Sequence, residues 1–359
     1  MPKHSLTIGL RIKIRPAYRV GLGAILIALL FLAGRTSPVG AQFDEYETAL
    51  EARAKVFPNA GTGVRSIKRD GAGRYYILTA PSASVGIYDA DGRPLGKTPE
   101  NATKGLAIVY GDDLDVDPGG QVYVADRGAN AVKVYDPKGQ LVLTIPIPAP
   151  TSVILLPGGE IAVSSMRTPH LIEVFDSKGK IVREFGDVAE LAEHADLNRF
   201  LNMGNLETDA AGHVYYSFSY FPEPTLRKYD RFGFATLDVA LTSIDIQRQA
   251  AAVRREISEQ DEKKAAPNFK RVINAVGVDP QTQVVFVAMG DQLLQLDREG
   301  NHKLTYRTFT KQGERVEPVS ILVEPDRLLL ATDSLGIYDF ARPDKPKTAP
   351  VPPVAAPEK

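Results

Sequence analysis

The chain has 359 residues, 43 Lys+Arg against 44 Asp+Glu, 43% apolar residues and no cysteine. A near-neutral balance argues against nucleic acid as a partner, because that binding rests on neutralising phosphates. Without cysteine, disulfides, thiolate metal sites, a cysteine nucleophile and a lipid-modified N-terminal cysteine are excluded, so stability must come from an apolar core.

The first residues carry Lys3, Arg11, Lys13, Arg15 and Arg19 and no acid, followed by an apolar run from Gly21 to Ala33 and by small residues around Ala41. This order reads as a signal peptide over residues 1–41, cleaved after Ala41. The run is shorter than the roughly 20 residues a bilayer span needs. A periplasmic or secreted protein with no stable transmembrane segment is expected, with an uncleaved N-terminal anchor as the alternative. Six of the 43 basic residues lie in 1–41, so the remaining 37 face 44 acids and the mature net charge is −7.

Two turn signals then alternate along the chain. One is a Gly- or Pro-containing turn at Asp70, Asp117, Leu156, Asp209, Asp279 and Glu324. The other is apolar-Asp-x-x-Gly, at Tyr88–Gly92, Tyr135–Gly139, Phe175–Gly179, Tyr229–Gly233 and Leu296–Gly300; a sixth copy at Tyr338 keeps the Asp but lacks the Gly. Asp suits the start of a type I turn, and Gly supplies the positive φ that closes a bulged hairpin. The spacing from first turn to second is 13 to 18 residues, whereas the joins between units vary from 23 to 52. A fixed interior with elastic joins marks a repeated supersecondary unit. The intervening segments, such as Val122–Asp126, Val132–Asp136 and His213–Ser219, alternate and are rich in β-branched and aromatic residues. Two hairpin turns per unit give four strands, and six such units give an all-β, six-bladed β-propeller; a β-sandwich would not explain the repeat.

Unit two, Asp115–Gln140, matches a known pattern at Asp117, Pro118, Gly120, Tyr123 to Asp126, Asn130, Val132, Tyr135, Asp136 and Gly139. It resembles an NHL repeat, and the other units share mainly its turns. The resemblance covers about residues 62 to 340 and implies a propeller fold that serves hydrolases, lyases and binding modules alike.

The expected organisation is an N-terminal segment (42–61) that closes the last blade, a propeller over 62–341 and a disordered Pro-rich tail over 342–359. Helical insertions are expected near 186–200 and 242–268, the second with Ile244, Ile246, Ala250, Val253 and Ile257 along one side. Both fall in crossovers between blades. They share a face with the loops between second and third strands, and either cover the channel mouth or pad its rim.

On that face the candidate ligand-binding residues are Arg127, Arg167, His170, Tyr220 and Asp291. Asp126 and Asn130 are expected to bond their own backbone. Beginning each innermost strand are Asp113, Thr151, Asn205, Asn274 and Ser320, expected to point to the axis. A monomeric binding or scaffold module for an envelope protein, peptide or glycan needs only such a shaped face. The alternative is a hydrolase resembling the calcium-dependent lactonases and gluconolactonases of this architecture. That resemblance implies one Ca²⁺ in the channel, with Asp113, Asn205 and Asn274 as ligands, although no unit has a carboxylate at every channel position. A metal-dependent lyase would want several channel histidines, and only His170 and His194 reach that face. No nucleophile elbow, phosphate loop or dinucleotide fingerprint is present.

Overall fold

The computed structural model describes residues 39–42, 47–80, 82, 84–99, 105–242, 244–264 and 266–345. The basic and apolar stretches of the predicted signal peptide and most of the Pro-rich tail lie outside them. Among the described residues no helix is long and apolar enough to cross a membrane.

Three strands precede the blades: β1 (Val39–Gln42), β2 (Glu47–Glu51) and β3 (Ala54–Val56). Blade one is β4 (Val64–Arg69), β5 (Tyr75–Thr79), β6 (Val85–Tyr88) and β7 (Pro94–Thr98). Blade two is β8 (Gly111–Val116), β9 (Val122–Asp126), β10 (Ala131–Tyr135) and β11 (Leu141–Pro146). Blade three is β12 (Pro150–Leu155), β13 (Ile161–Ser165), β14 (Ile172–Phe175) and β15 (Ile181–Phe185). Helix α1 (Ala195–Leu201) leads to blade four: β16 (Gly204–Thr208), β17 (Val214–Phe218), β18 (Thr225–Tyr229) and β19 (Ala235–Thr242). Helix α2 (Ile244–Lys263) leads to blade five: β20 (Ala275–Val278), β21 (Val285–Met289), β22 (Gln292–Leu296) and β23 (His302–Phe309). Blade six has β24 (Ser320–Val323), β25 (Arg327–Ala331) and β26 (Ile337–Ala341), and its fourth strand is β3. The six blades form a propeller, with β24 beside β4 so that the innermost strands make a closed ring.

The N-terminal segment straps three blades in succession. β1 lies parallel to β19, β2 lies parallel to β23, and β3 pairs antiparallel with β26, Tyr338 opposite Lys55. Arg53 pairs with Asp339 at 2.6 Å. This explains the missing Gly of the sixth unit: β26 does not enter a hairpin, so Asp339 is released from turn duty and holds the strap.

The other Asp turns obey their chemistry. Asp136 Oδ1 accepts the N–H groups of Lys138 and Gln140 at 2.9 and 2.8 Å, with Gly139 at φ 73°. The same two-bond pattern recurs at Asp70, Asp89, Asp117, Asp176, Asp209, Asp230 and Asp297. In the first turn of unit five, at Asp279, the Gly is absent, and Gln283 takes the left-handed conformation at φ 61°. The apolar core is a set of six layers, one between each pair of neighbouring blades.

The sequence boundary at 341/342 falls inside a buried cluster. Arg342 is 4% exposed, donates to Asp279 Oδ2 at 2.5 Å and to the Glu324 carbonyl at 3.1 Å, and also pairs with Asp344. Arg342, the first residue after β26, is thus held against the propeller by its acidic partners, as a guanidinium must be if it is to be buried.

Candidate functional site

An innermost strand has one paired edge and one edge facing the axis, and the N–H groups of that second edge need partners. Side chains of the neighbouring blade supply them. Asp113 Oδ2 accepts the Ser152 hydroxyl at 2.6 Å and the Val153 N–H at 3.3 Å. Asp115, two residues on and on the same face of β8, accepts the Leu155 N–H at 2.7 Å. Ser152 Oγ accepts the Leu206 N–H at 3.1 Å, and Ser320 Oγ accepts the Ile67 N–H at 3.3 Å. Polar residues in these strands thus stitch the blades together around the axis.

An ion pair crosses the channel. Lys68 of blade one meets Glu207 of blade four at 2.8 Å, and these blades stand opposite each other in a ring of six. Burial alone would lower Lys68, but Glu207, Asp115 and Asp113 outweigh it and hold the ammonium above its ordinary range. For Glu207, burial outweighs the attraction of Lys68, and with Asp113 and Asp115 adding repulsion its carboxyl is pushed up to about 7. Asp115 is likewise raised by burial against the pull of Lys68.

Toward the crossover face lies a cavity of about 50 Å³, roughly the space of one or two waters. All six blades or the segments leading into them contribute, among them Arg65, Asp112, Thr151, Asn205, Ala275 and Ser320, with Glu207 in its lining. Arg271 and Met203, which follow the two helical insertions, complete it. The helices themselves pack beside it. Leu197, Leu201, Tyr220 and Ile257 form their own small core, and Asp261 of α2 accepts the N–H groups of Glu193 and His194 at 2.7 and 2.9 Å. Of the expected α2 face, Ile246, Ala250 and Ile257 are buried.

Charge at the mouth is uneven. Arg127 is spent on Asp112, Nε to Oδ2 at 2.6 Å, with its guanidinium 4.8 Å over the Tyr110 ring. Burial raises the Asp112 carboxyl above its ordinary range, against the pull of the nearby guanidiniums of Arg127, Arg271 and Arg65. Neither Arg65 nor Arg271 makes an ion pair or hydrogen bond among the described residues, and Arg65 Nε is buried without a partner. The Asn205 amide is also unengaged there.

The expected ligand residues are not brought together. Arg127 serves Asp112, Arg167 is exposed on its loop, and His170 is half-buried, accepting from Thr168 through its carbonyl. Tyr220 is buried against Phe200, ring centroids 4.4 Å apart, and Asp291 sits between Arg307 and Arg315. Asp126 accepts from Val109, Tyr110 and Ala129, and Asn130 from Ala149, so both hold backbone. Of the three residues expected to bind Ca²⁺, Asp113 and Asn205 line the cavity, whereas Asn274 does not and accepts the Gly290 N–H at 2.8 Å. Among the described residues no group of three or more His, Asp or Glu is arranged to hold a metal ion.

Sequence reading missed Arg65, Lys68, Asp112, Asp115, Glu207 and Arg271. The signal was present in DDLDV (Asp112–Val116) and in Ser66/Lys68 and Asn205/Glu207, polar residues at period two within strands otherwise apolar.

No protein-family model matches the chain, and no curated protein matches it. Solved structures do. Selenomethionine-substituted virginiamycin B lyase from Staphylococcus aureus aligns with TM-score 0.51 and 13% identity, over 80% of this chain and 98% of that one. A streptogramin B lyase aligns with TM-score 0.53 and 12% identity, over 78% and 94%. A catalytically inactive histidine-to-alanine form of the S. aureus virginiamycin B lyase, with quinupristin, aligns with TM-score 0.50 and 16% identity, over 80% and 98%. At these identities the likeness is one of fold: this chain shares the propeller architecture of streptogramin lyases.

Proposed function

We propose that the protein is an exported propeller that takes one polar end of a small molecule into the crossover-face mouth of its channel. The observation that carries this is the set of polar groups there, Arg65, Arg271 and the Asn205 amide, whose side chains make no hydrogen bond or ion pair among the described residues, while polar groups deeper in the channel are engaged in holding the blades. The cavity is far smaller than the roughly 300–1,000 Å³ of a drug-sized site, so the rest of the ligand lies over the rim. The test is thermal unfolding with a panel of small carboxylic acids, lactones and short peptides, on the parent protein and on Asn205→Leu. Ligands that stabilise the parent but not the variant support the reading. Equal effects on both, or none on either, refute it.

A second reading, turnover rather than binding, is favoured by Glu207. A carboxyl pushed up to about 7 at the cavity lining exchanges its proton at neutral pH, as a general acid or base must. The solved neighbours are lyases, and one of them is inactive with a histidine replaced by alanine; no histidine lines the mouth here, so Glu207 would carry the proton. The donor set argues against the calcium that the lactonase resemblance implies. Asp113 is bonded to blade three, Asn274 holds a turn, and Lys68 already brings a cation to the acidic centre. Turnover that Glu207→Gln abolishes while ligand binding persists would support this second reading.

A further inference from the structure

We infer that Arg65 and Arg271 read an anionic group on the ligand, and that the layer beneath selects a molecule carrying a hydrogen-bond donor close to that anion. The inference rests on the mouth being the ligand site. Three guanidiniums, those of Arg65, Arg127 and Arg271, surround one carboxylate at the mouth, and Arg127 neutralises it. Arg65 and Arg271 therefore stand in a partly desolvated rim with no ion-pair partner of their own among the described residues. A buried guanidinium N–H with no acceptor is costly, and Arg65 Nε is such an atom. A carboxylate or phosphate oxygen supplies the missing acceptor and pairs with Arg in a charge-assisted bond. Ser320, whose Oγ accepts from the Ile67 backbone, still has its own hydroxyl proton to donate at the same rim.

The next layer down has the opposite sign. Asp113, Asp115 and Glu207 share the ammonium of Lys68, and burial makes the charged forms of Asp115 and Glu207 costly. A purely anionic probe gains at the upper layer and is repelled by the lower one. A hydroxyl or ammonium next to the anion turns that repulsion into a hydrogen bond to Glu207. The chemical class is a small hydroxy acid or amino acid, free or as the end of a larger molecule.

The experiment is calorimetric titration of the purified protein with glycine, glycolate, acetate and inorganic phosphate at low salt. Glycine and glycolate are expected to bind more tightly than acetate and phosphate. Arg65→Met and Arg271→Met should each weaken binding by about tenfold or more, and Arg65→Lys should recover part of it. Denaturant midpoints close to the parent's establish that each variant is folded; should Arg65→Met fail to fold, Arg271→Met and Arg65→Lys carry the test. Absence of binding by all four probes, or binding unchanged in the folded arginine variants, overturns the inference. If neutral ligands bind, lose affinity in Asn205→Leu and keep it in the arginine variants, the mouth is the site but its selectivity for anions is refuted.

Discussion

Lys68 is the group whose removal tests the channel most directly. Its Nζ lies 2.8 Å from Glu207 Oε1, with side-chain exposures of 13% and 20%. At an effective dielectric of about 20 the attraction at that distance is about 6 kcal/mol. Desolvation of the two ions costs several kcal/mol each and takes up most of it, so the pair as a whole is worth little. Losing one member is different. In Lys68→Met, Glu207, Asp113 and Asp115 remain partly buried without the ammonium that they share, and the expected loss is about 3–5 kcal/mol. Adding Glu207→Gln removes one of the stranded charges, and the double variant should recover about 1–3 kcal/mol of that loss. Urea unfolding midpoints at constant m measure both. The pH dependence gives a second check. Glu207 titrates near 7 when folded against an ordinary 4.5, so the folded state holds a proton that the unfolded state has released between those values. Glu207's contribution to stability therefore rises as pH falls from above 7 toward 4.5. That rise should begin at higher pH in Lys68→Met and should vanish in Glu207→Gln. A Lys68→Met protein within about 0.5 kcal/mol of the parent, the scatter of an ordinary surface change, would refute the cross-channel account.

Three further outcomes are expected. Arg342→Met strands the buried carboxylates of Asp279 and Asp344 and should cost about 3 kcal/mol, read by urea unfolding; truncation after Ala341 should act in the same direction. Glu173, opposite Glu184 across β14 and β15, is pushed up to about 7 by burial and by that neighbour, so Glu173→Gln should raise the unfolding temperature above pH 7 and flatten its rise between pH 7 and 4.5. Phe57, 4% exposed, packs on Tyr75 and Tyr88 with ring centroids at 4.9 and 5.7 Å, so Phe57→Ala should cost about 3–5 kcal/mol and loosen the strap that joins blade six to blade one, seen as faster amide exchange in β26.

The propeller was legible because its turns are local. Asp136 and Gly139 act within five residues, so their chemistry survives in the sequence whatever blade they serve. The strap was legible from a deficit: the sixth unit stops one strand short, and a closed ring demands that strand from elsewhere. What could not be read was the docking of β1 and β2 along β19 and β23, since parallel pairing to an outer edge leaves no turn signal. The burial of Arg342 could not be read for a related reason. A composition rule sees Pro and Lys, whereas burial there depends on Asp279, 63 residues away.

The site was harder because its residues act between blades rather than within one. Asp113 reads from the sequence as a metal ligand since carboxylates near an axis are what a cation needs; its Oδ1 accepts the Leu114 N–H of its own strand, while Oδ2 accepts from the Ser152 hydroxyl and the Val153 N–H of β12, contacts between blades that appear in no single repeat. The same kind of contact sorts the channel. Ser152, Asp115 and Ser320 are spent on N–H groups of the next blade. Chemistry is left to the residues outside those contacts. Arg65 and Arg271 stand at the rim, above the stitched layer, and Glu207 meets the opposite blade across the axis instead of its neighbour. In a propeller with diverged blades the candidate site is therefore what remains after backbone satisfaction has been assigned, and that subtraction requires the assembled ring.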